Sequence, residues 1–230
     1  MTRLLYLSLI KSLWHPNHHG FCSNHLTATD LSQPYDLWIR KAESKTLKAA
    51  LLLDLSPAFD VVDNKILIGK LELYNFSGEP IAWFKSYLKH RRQVVVVESK
   101  LSDPQDVGNQ GVPQGSLLAP ILSLIFYNDF PDVRGSSILY ADDETDNVSD
   151  PNPYILEQKI QLEAEKSTSW VHNNKLVCSG GKTKLLVVGI QDMRKNKLTS
   201  QNKVIKIKVA EHEVSETTSE RPLGLLVKTQ

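Results

Sequence analysis

Cysteine is scarce here: Cys22 and Cys178 are the two in 230 residues. Two thiols cannot staple a disulfide framework, and these two lack metal-ligand spacing. Both scaffolds are excluded, and a reducing intracellular compartment, cytoplasm or nucleus, is expected. Long apolar runs are missing as well. The N-terminal stretch from Leu4 to Ile10 is far shorter than the ~20 residues that span a bilayer. No small-residue cleavage site follows it before Trp14-His15-Pro16, so it reads as a helix remnant rather than a signal peptide. No membrane partner is expected. Net charge is nearly absent, at +1, so the overall balance does not point to a nucleic acid. No internal repeat or low-complexity segment breaks the chain. Two glycosylation sequons, at Asn75 and Asn147, are chance matches in a chain that is not secreted.

What is present supports a packed protein. Apolar residues make up 41% and charged residues 23%, enough for one large domain or two small ones. The charge is unevenly spread. Asp142 to Glu165 holds eight acids against Lys159 alone, and Lys182 to Lys208 holds eight bases against Asp192 alone. Either block by itself reads as a solvated face. Together they suit a protein that holds divalent cations in one place and a phosphate backbone in another.

The local pattern is mixed α/β. Ala49 to Leu55 is a short apolar run ending at an acid, which predicts a buried strand. Ser56-Pro57 reads as an N-cap followed by proline at the first helical position. Helices are predicted from Asp63, with Ile66, Leu67, Lys70, Leu71 and Tyr74 on helical spacing, and from Pro80 through Trp83, Phe84, Tyr87 and Leu88. The β-branched run Gln93 to Glu98 predicts a strand. Gly111-Val112-Pro113-Gln114-Gly115-Ser116 is a loop capping an apolar helix from Leu117 to Phe130. Ser137 to Tyr140 and Thr145 to Val148 are predicted as strands around a tight turn at 141–144. Pro151 to Trp170 is an amphipathic helix with Ile155, Leu156, Ile160, Leu162 and Trp170 as core candidates. Strands follow at Lys184 to Gly189, Val204 to Val209 and Leu223 to Val227, with a polar excursion from Ile190 to Asn202.

Three acids carry the chemistry. Asp54 ends one strand, and Asp142-Asp143 sits between two others. A hairpin laid beside the Asp54 strand brings all three carboxylates together, a donor set suited to hard divalent cations. The dipeptide taken alone is more simply a turn former. The joint pattern decides against that. Asp54-Leu55-Ser56-Pro57-Ala58-Phe59-Asp60, then Gly111 to Ser116, then Tyr140-Ala141-Asp142-Asp143 occur in this order and resemble three successive motifs of the reverse transcriptase palm. The spacer residues Ile66-Leu67, Lys70-Leu71, Trp83, Ser86-Tyr87-Leu88, Arg91 and Gln93 stand where non-LTR, LINE-type retrotransposons place such residues. Trp170, Asn174-Lys175-Leu176 and Lys182-Thr183-Lys184 resemble the next motif, and Leu223-Gly224 the opening of the primer-gripping hairpin. The resemblance covers roughly residues 18 to 228.

The resemblance implies an α+β, right-hand polymerase fold with fingers and palm, an antiparallel palm sheet packed on helices, and no thumb. Residues 1–50 would be partial fingers, 51–189 the palm with an inserted fingers segment, and 190–230 the end of the palm with part of the primer grip. It implies an RNA-directed DNA polymerase using Mg²⁺, with Mn²⁺ as the alternative, and an RNA template, a DNA primer and deoxynucleoside triphosphates as partners. No protein partner is implied. Asp54 and Asp142 would bind both ions, with Asp143 and the main-chain carbonyl of Leu55 in support. Phe59 would be the aromatic gate against a 2′-hydroxyl, although a core phenylalanine explains it equally well without the motif. Gln114 and Gly115 would meet the incoming nucleotide, and Tyr140 the primer end. Lys182 would give a proton to pyrophosphate, against the plainer reading of a surface lysine. Arg91 and Arg92, with Lys85 and Lys89, would follow phosphates or simply solvate a helix end.

Departures bear on activity. His19-Gly20-Phe21-Cys22 resembles a fingers motif with Cys22 in place of its triphosphate-clamping arginine. Ala119 replaces a usual glycine, Glu144 a usual threonine or serine, and Gly180-Gly181 adds flexibility before Lys182. The competing reading is therefore a truncated, catalytically inactive retroelement relic that at most binds nucleic acid. An RNA polymerase with the same palm is disfavoured by Phe59 and by the spacer.

Overall fold

Alternation in LKAALLLD makes Leu47–Asp54 an eight-residue strand, β1. Leu47, Ala49, Leu51 and Leu53 turn to one face and are fully buried there, while Ala50 and Leu52 turn to the other. The computed structural model describes residues 14–17, 46–55, 59–133, 137–140, 143–179, 181–188, 204–217, 219–220 and 227–228. At 137–140, 143–146, 219–220 and 227–228 it describes the backbone course alone. The runs Leu4 to Ile10 and His19 to Cys22, together with Ser56-Pro57, Asp142, Gly180, the excursion from Ile190 and Leu223-Gly224, lie outside the described residues.

The chain divides into two compact units. The first contains residues 1–56, 128–173 and 177–230 and is built on a six-stranded sheet. The strands beside β1 that belong to it are β6 (Ser137–Tyr140), β7 (Asp143–Asp150), β8 (Lys184–Val188), β9 (Lys206–Val209) and β10 (His212–Thr217). Their order is β6-β7-β1-β8-β10-β9, so β1 is central, paired antiparallel with β7 on one edge and β8 on the other. Helix α4 (Pro153–Asn173) covers one face of the sheet. Leu156, Ile160 and Ala164 of the helix are completely buried, in one cluster with Leu51, Leu185, Val187, Ile207 and Val209. That spacing of four is one stripe of a helix.

The second unit contains residues 57–127 and 174–176. Its helices are α1 (Asn64–Leu73), α2 (Glu79–Leu88) and α3 (Ala119–Tyr127). Asp63 caps α1, its Oδ1 accepting from the amides of Lys65 and Ile66 at 2.9 and 3.0 Å. Leu67, Leu71, Phe84, Leu88, Leu122 and Phe126 form the core. Two short ribbons complete the unit: β2 (Arg91–Gln93) with β5 (Gln105–Gly108), and β3 (Val96–Val97) with β4 (Lys100–Leu101).

Several expectations are corrected. The strand from Gln93 to Glu98 is broken: β2 ends at Gln93, and the chain changes ladder before β3, where Glu98 and Ser99 take positive φ and turn it back. The valines there are exposed, because β-branching favours extended backbone whether or not anything covers it. The apolar helix runs Ala119–Tyr127, not Leu117 to Phe130. Ser116 Oγ accepts from the Ala119 amide at 3.1 Å and so sets its start. Ile155 and Leu162 are exposed, since they fall off the Leu156-Ile160-Ala164 stripe. Asp143 and Glu144 belong to strand β7, not to the turn. Of the sheet's pairings, β8–β10 is parallel where an antiparallel sheet was expected. Strand β10, HEVSET, was missed, because it has little apolar content beyond Val214. The last predicted strand is described only at β12 (Val227–Lys228), paired with β11 (Ser219–Glu220).

Candidate active site

Asp54 is the last residue of β1, and the ladder places it directly opposite Asp143, the first residue of β7. Tyr140, at the end of β6, pairs with the same Asp143, and residues 141–142 join the two strands. The positions bracketing the Tyr140-Ala141-Asp142-Asp143 motif are thus beside the end of the central strand. Asp142 and the side chains of Tyr140 and Asp143 are not described. Among the described residues no group of three or more His, Cys, Asp or Glu side chains is arranged to hold a metal ion.

The other side of Asp54 is built by a turn. Its carbonyl accepts from the Ser179 amide at 3.1 Å, and the Ser179 carbonyl in turn accepts from the amides of Lys182 at 3.0 Å and Thr183 at 2.9 Å. The Thr183 hydroxyl donates to the same carbonyl at 3.0 Å. This turn sets Lys182 Nζ 3.7 Å from Asp54 Oδ2. Lys182 is exposed and the Asp54 side chain is 27% exposed, so the pair is partly open to solvent. Leu55, next in the chain, is buried. The sequence offered no sign of Ser179; its role is visible only once β1 and β8 are paired.

In the second unit, the Gly111 to Ser116 loop is sewn to the turn after Phe59. Val112 N donates to the Phe59 carbonyl at 2.9 Å, and Gly111 N to the Val62 carbonyl at 2.8 Å. Gln114 Nε2 donates to Asp60 Oδ1 at 2.7 Å. Because a carboxylate oxygen accepts, the amide nitrogen of Gln114 is the end turned to Asp60, and its oxygen is left for another donor. Gly111 has φ of +74°, and a Cβ there would stand 2.8 Å from the Asp60 carbonyl oxygen. Gly115 also needs its positive φ, +80°, in an open position. Arg91 lies across the loop, its Nη2 donating to the carbonyls of Gln110 and Gly111. Arg91 therefore spends donors on the backbone, while Arg92 is exposed. Phe59 is half-buried. Asp60 and Arg91 as loop anchors were not foreseen, although Asp60 stands inside the first motif.

Lys175, in the segment that rejoins this unit, places Nζ 2.8 Å from Asp63 Oδ2. Burial pushes the Asp63 carboxyl up. The Lys175 hydrogen bond, the Ile66 amide, the Lys175 charge and the Lys65 amide outweigh it, so the net position is below 3.8. A lowered folded-state value means stabilisation that is present above 3.8 and is lost as pH falls through the lowered value. Lys175→Met is expected to cost about 1 kcal/mol at neutral pH, since solvent screens the exposed ammonium while the carboxylate it pairs with is buried. In urea unfolding, that difference from the parent chain should shrink to nothing as Asp63 protonates in acid.

Comparison with known proteins agrees with the motifs. The family described as reverse transcriptase (RNA-dependent DNA polymerase) matches over residues 2–216. Among curated relatives, a probable RNA-directed DNA polymerase from transposon X-element of Drosophila melanogaster is 36% identical over 138 residues, 56% of this chain and 15% of that protein. A probable RNA-directed DNA polymerase from transposon BS of the same organism is 34% identical over 117 residues, covering 50% and 13%. The RNA-directed DNA polymerase from mobile element jockey is 31% identical over 112 residues, covering 49% and 12%. The chain thus spans a small share of the length of these relatives. A solved structure of apo telomerase from Candida tropicalis, truncated from its C-terminal domain, superposes with a TM-score of 0.57 at 15% identity, over 99% of this chain and 44% of that one. That likeness gives the reverse transcriptase fold to the mixed α/β architecture described above. The chain belongs to the reverse transcriptase family, and within it to the kind carried by non-LTR, LINE-type elements.

Proposed function

We propose that this chain is an RNA-directed DNA polymerase domain, extending a DNA primer on an RNA template from deoxynucleoside triphosphates inside the cell. The observation that carries the reading is the Asp54–Asp143 register across the two central strands. Directly opposed residues of an antiparallel ladder share a face of the sheet, with Cβ atoms about 5 Å apart. Reverse transcriptases use divalent metals, and an all-carboxylate donor set fits a hard cation such as Mg²⁺, or Mn²⁺ in its place. Asp54, Asp142 and Asp143, with the Leu55 carbonyl, would hold it. When bound, such ions lower the cost of ionising the primer 3′-hydroxyl and of charge on the departing pyrophosphate.

The chain's own residues supply the rest. Asp54 is held at the strand end by Ser179, and Lys182 beside it is a proton donor to pyrophosphate. Phe59 gates the sugar, and Gln114 and Gly115 meet the nucleotide, on a loop whose shape Asp60 and Arg91 maintain. Tyr140 lies at the primer end and Arg92 on the strand backbone. In this reading the sheet with α4 is the palm and the helical unit is the inserted fingers segment. The residues before β1 are further fingers, so that boundary falls ahead of Leu47 rather than at 50, and 190–230 close the palm and begin the primer grip. No helix among the described residues is long and apolar enough to cross a membrane.

The test is primer extension on poly(rA)·oligo(dT) with the full chain and its Asp142→Asn/Asp143→Asn variant. Synthesis that the double change reduces at least ~10³-fold supports the polymerase; the loss corresponds to several kcal/mol of transition-state stabilisation. Equal background from both, with folding intact by circular dichroism, leaves a domain that at most binds nucleic acid.

A further inference from the structure

Helix α2 carries an aromatic pair that nothing above uses. Trp83 and Tyr87 lie one turn apart with ring centroids at 5.1 Å and planes within 10° of parallel. Trp83 is 52% exposed although its neighbour on the helix, Phe84, is in the core. The stack is also anchored. The Tyr87 hydroxyl is 3.0 Å from Ser116 Oγ, and that oxygen accepts from the Ala119 amide at the start of α3. Phe84 meets the Trp83 ring edge-on at 5.1 Å and 84°. An indole with one ring parallel to it, another perpendicular, and half of its surface open to water is preoriented, so a planar ligand would lose little further freedom by ordering it.

We propose that the open face of Trp83 is a stacking platform for an unpaired base of a nucleic-acid strand, next to the Gly111 to Ser116 loop. The occupant is chosen by charge. Lys89 and Arg92, both exposed, follow directly at the C-terminal end of α2. The segment Trp83 to Arg92 contains Lys85, Lys89, Arg91 and Arg92 and no acid, and an exposed π-face in so basic a segment suits a single strand, whose bases stack while its phosphates are neutralised. A protein partner would use the same indole without needing the cations. The inference rests on the polymerase reading for its biological sense, but its binding test is independent of catalysis.

The test measures binding of fluorescein-labelled single-stranded RNA to the full chain by anisotropy, using Trp83→Ala and Trp83→Phe. The same RNA with abasic nucleotides is the second probe. Base stacking is worth ~1–3 kcal/mol, so Trp83→Ala should weaken binding to the normal strand about 5- to 150-fold, with the salt slope unchanged. Trp83→Phe keeps a smaller ring and should lose about two- to threefold, a fraction of that stacking. On the abasic strand, parent and variants should bind alike. If Trp83→Ala does not fold, the comparison of Trp83→Phe on the two strands decides. The proposal is overturned if the variants bind the normal strand as tightly as the parent, or lose equally on the abasic strand. It is also overturned if the change at Trp83 alters self-association and leaves RNA binding untouched. Failure of primer extension with the stacking result intact would remove the polymerase reading alone.

Discussion

Asp54→Asn is expected to reduce primer extension at least ~10³-fold while leaving the thermal unfolding midpoint nearly unchanged. The first half follows from charge. In the proposed site several kcal/mol of cation-mediated stabilisation would run through this carboxylate, and each 1.36 kcal/mol is tenfold in rate. The second half follows from where the residue sits. The backbone of Asp54 is fixed by the β7 ladder and by the Ser179 amide on its carbonyl, neither of which involves the carboxylate. The substitution keeps the side-chain shape, so Leu53 and Leu55 stay buried on either side. Lys182 loses the carboxylate 3.7 Å away, but an exposed ammonium is solvated by water instead. A combined readout of extension rate and melting temperature separates this from a folding defect: a variant that melted as low as it polymerised would mean Asp54 is structural.

Gly111→Ala should be the most damaging single methyl in the second unit, costing about 3 kcal/mol and most of the activity. Two penalties act on one atom. The backbone at φ +74° is in the left-handed region, where a side chain is strained. The added carbon would also stand 2.8 Å from the Asp60 carbonyl oxygen and 3.2 Å from its Cα, and a backbone cannot swing aside as a side chain can. To relieve the contact the loop must lift. That breaks the Gly111–Val62 bond and draws Gln114 away from Asp60. Gly115→Ala is the control. It has a similar φ but meets nothing within 4 Å, so it should cost about 1–2 kcal/mol from strain alone. Chemical denaturation of both variants checks the ordering; equal losses would show that the approach to Asp60 is unimportant.

How much of this was legible in the sequence depended on the range of the force involved. β1 was readable because a buried central strand must be apolar, and its acid terminus stood out against that run. Helices α1, α2 and α4 were readable from their apolar spacing. Asp143 and Glu144 were misplaced into a turn because β7 opens with DETD, which has no apolar alternation. Pairing with β1 makes that segment a strand, and pairing is a property of two segments, not of one. The four valines misled in the opposite direction, having strand-forming shape without burial. The site divides in the same way. The motifs named Asp54, Gln114 and Lys182, but what holds them was invisible. Asp60 and Gln114 are 54 positions apart, and Asp63 and Lys175 are 112 apart. No local signal links such pairs.

Manganese binding to the full chain, followed by the paramagnetic resonance of the free ion, tests the shared cation site with least indirection. Asp54→Asn and Asp143→Asn should each weaken binding at least about tenfold, as loss of a direct ligand should exceed the 10- to 100-fold typical of residues merely supporting one. Because both would disable one site, the combined variant should be little worse than either alone. Affinity unchanged by Asp54→Asn, or losses from the two positions that simply multiply, would mean that the end of β1 and the start of β7 do not act on a common ion.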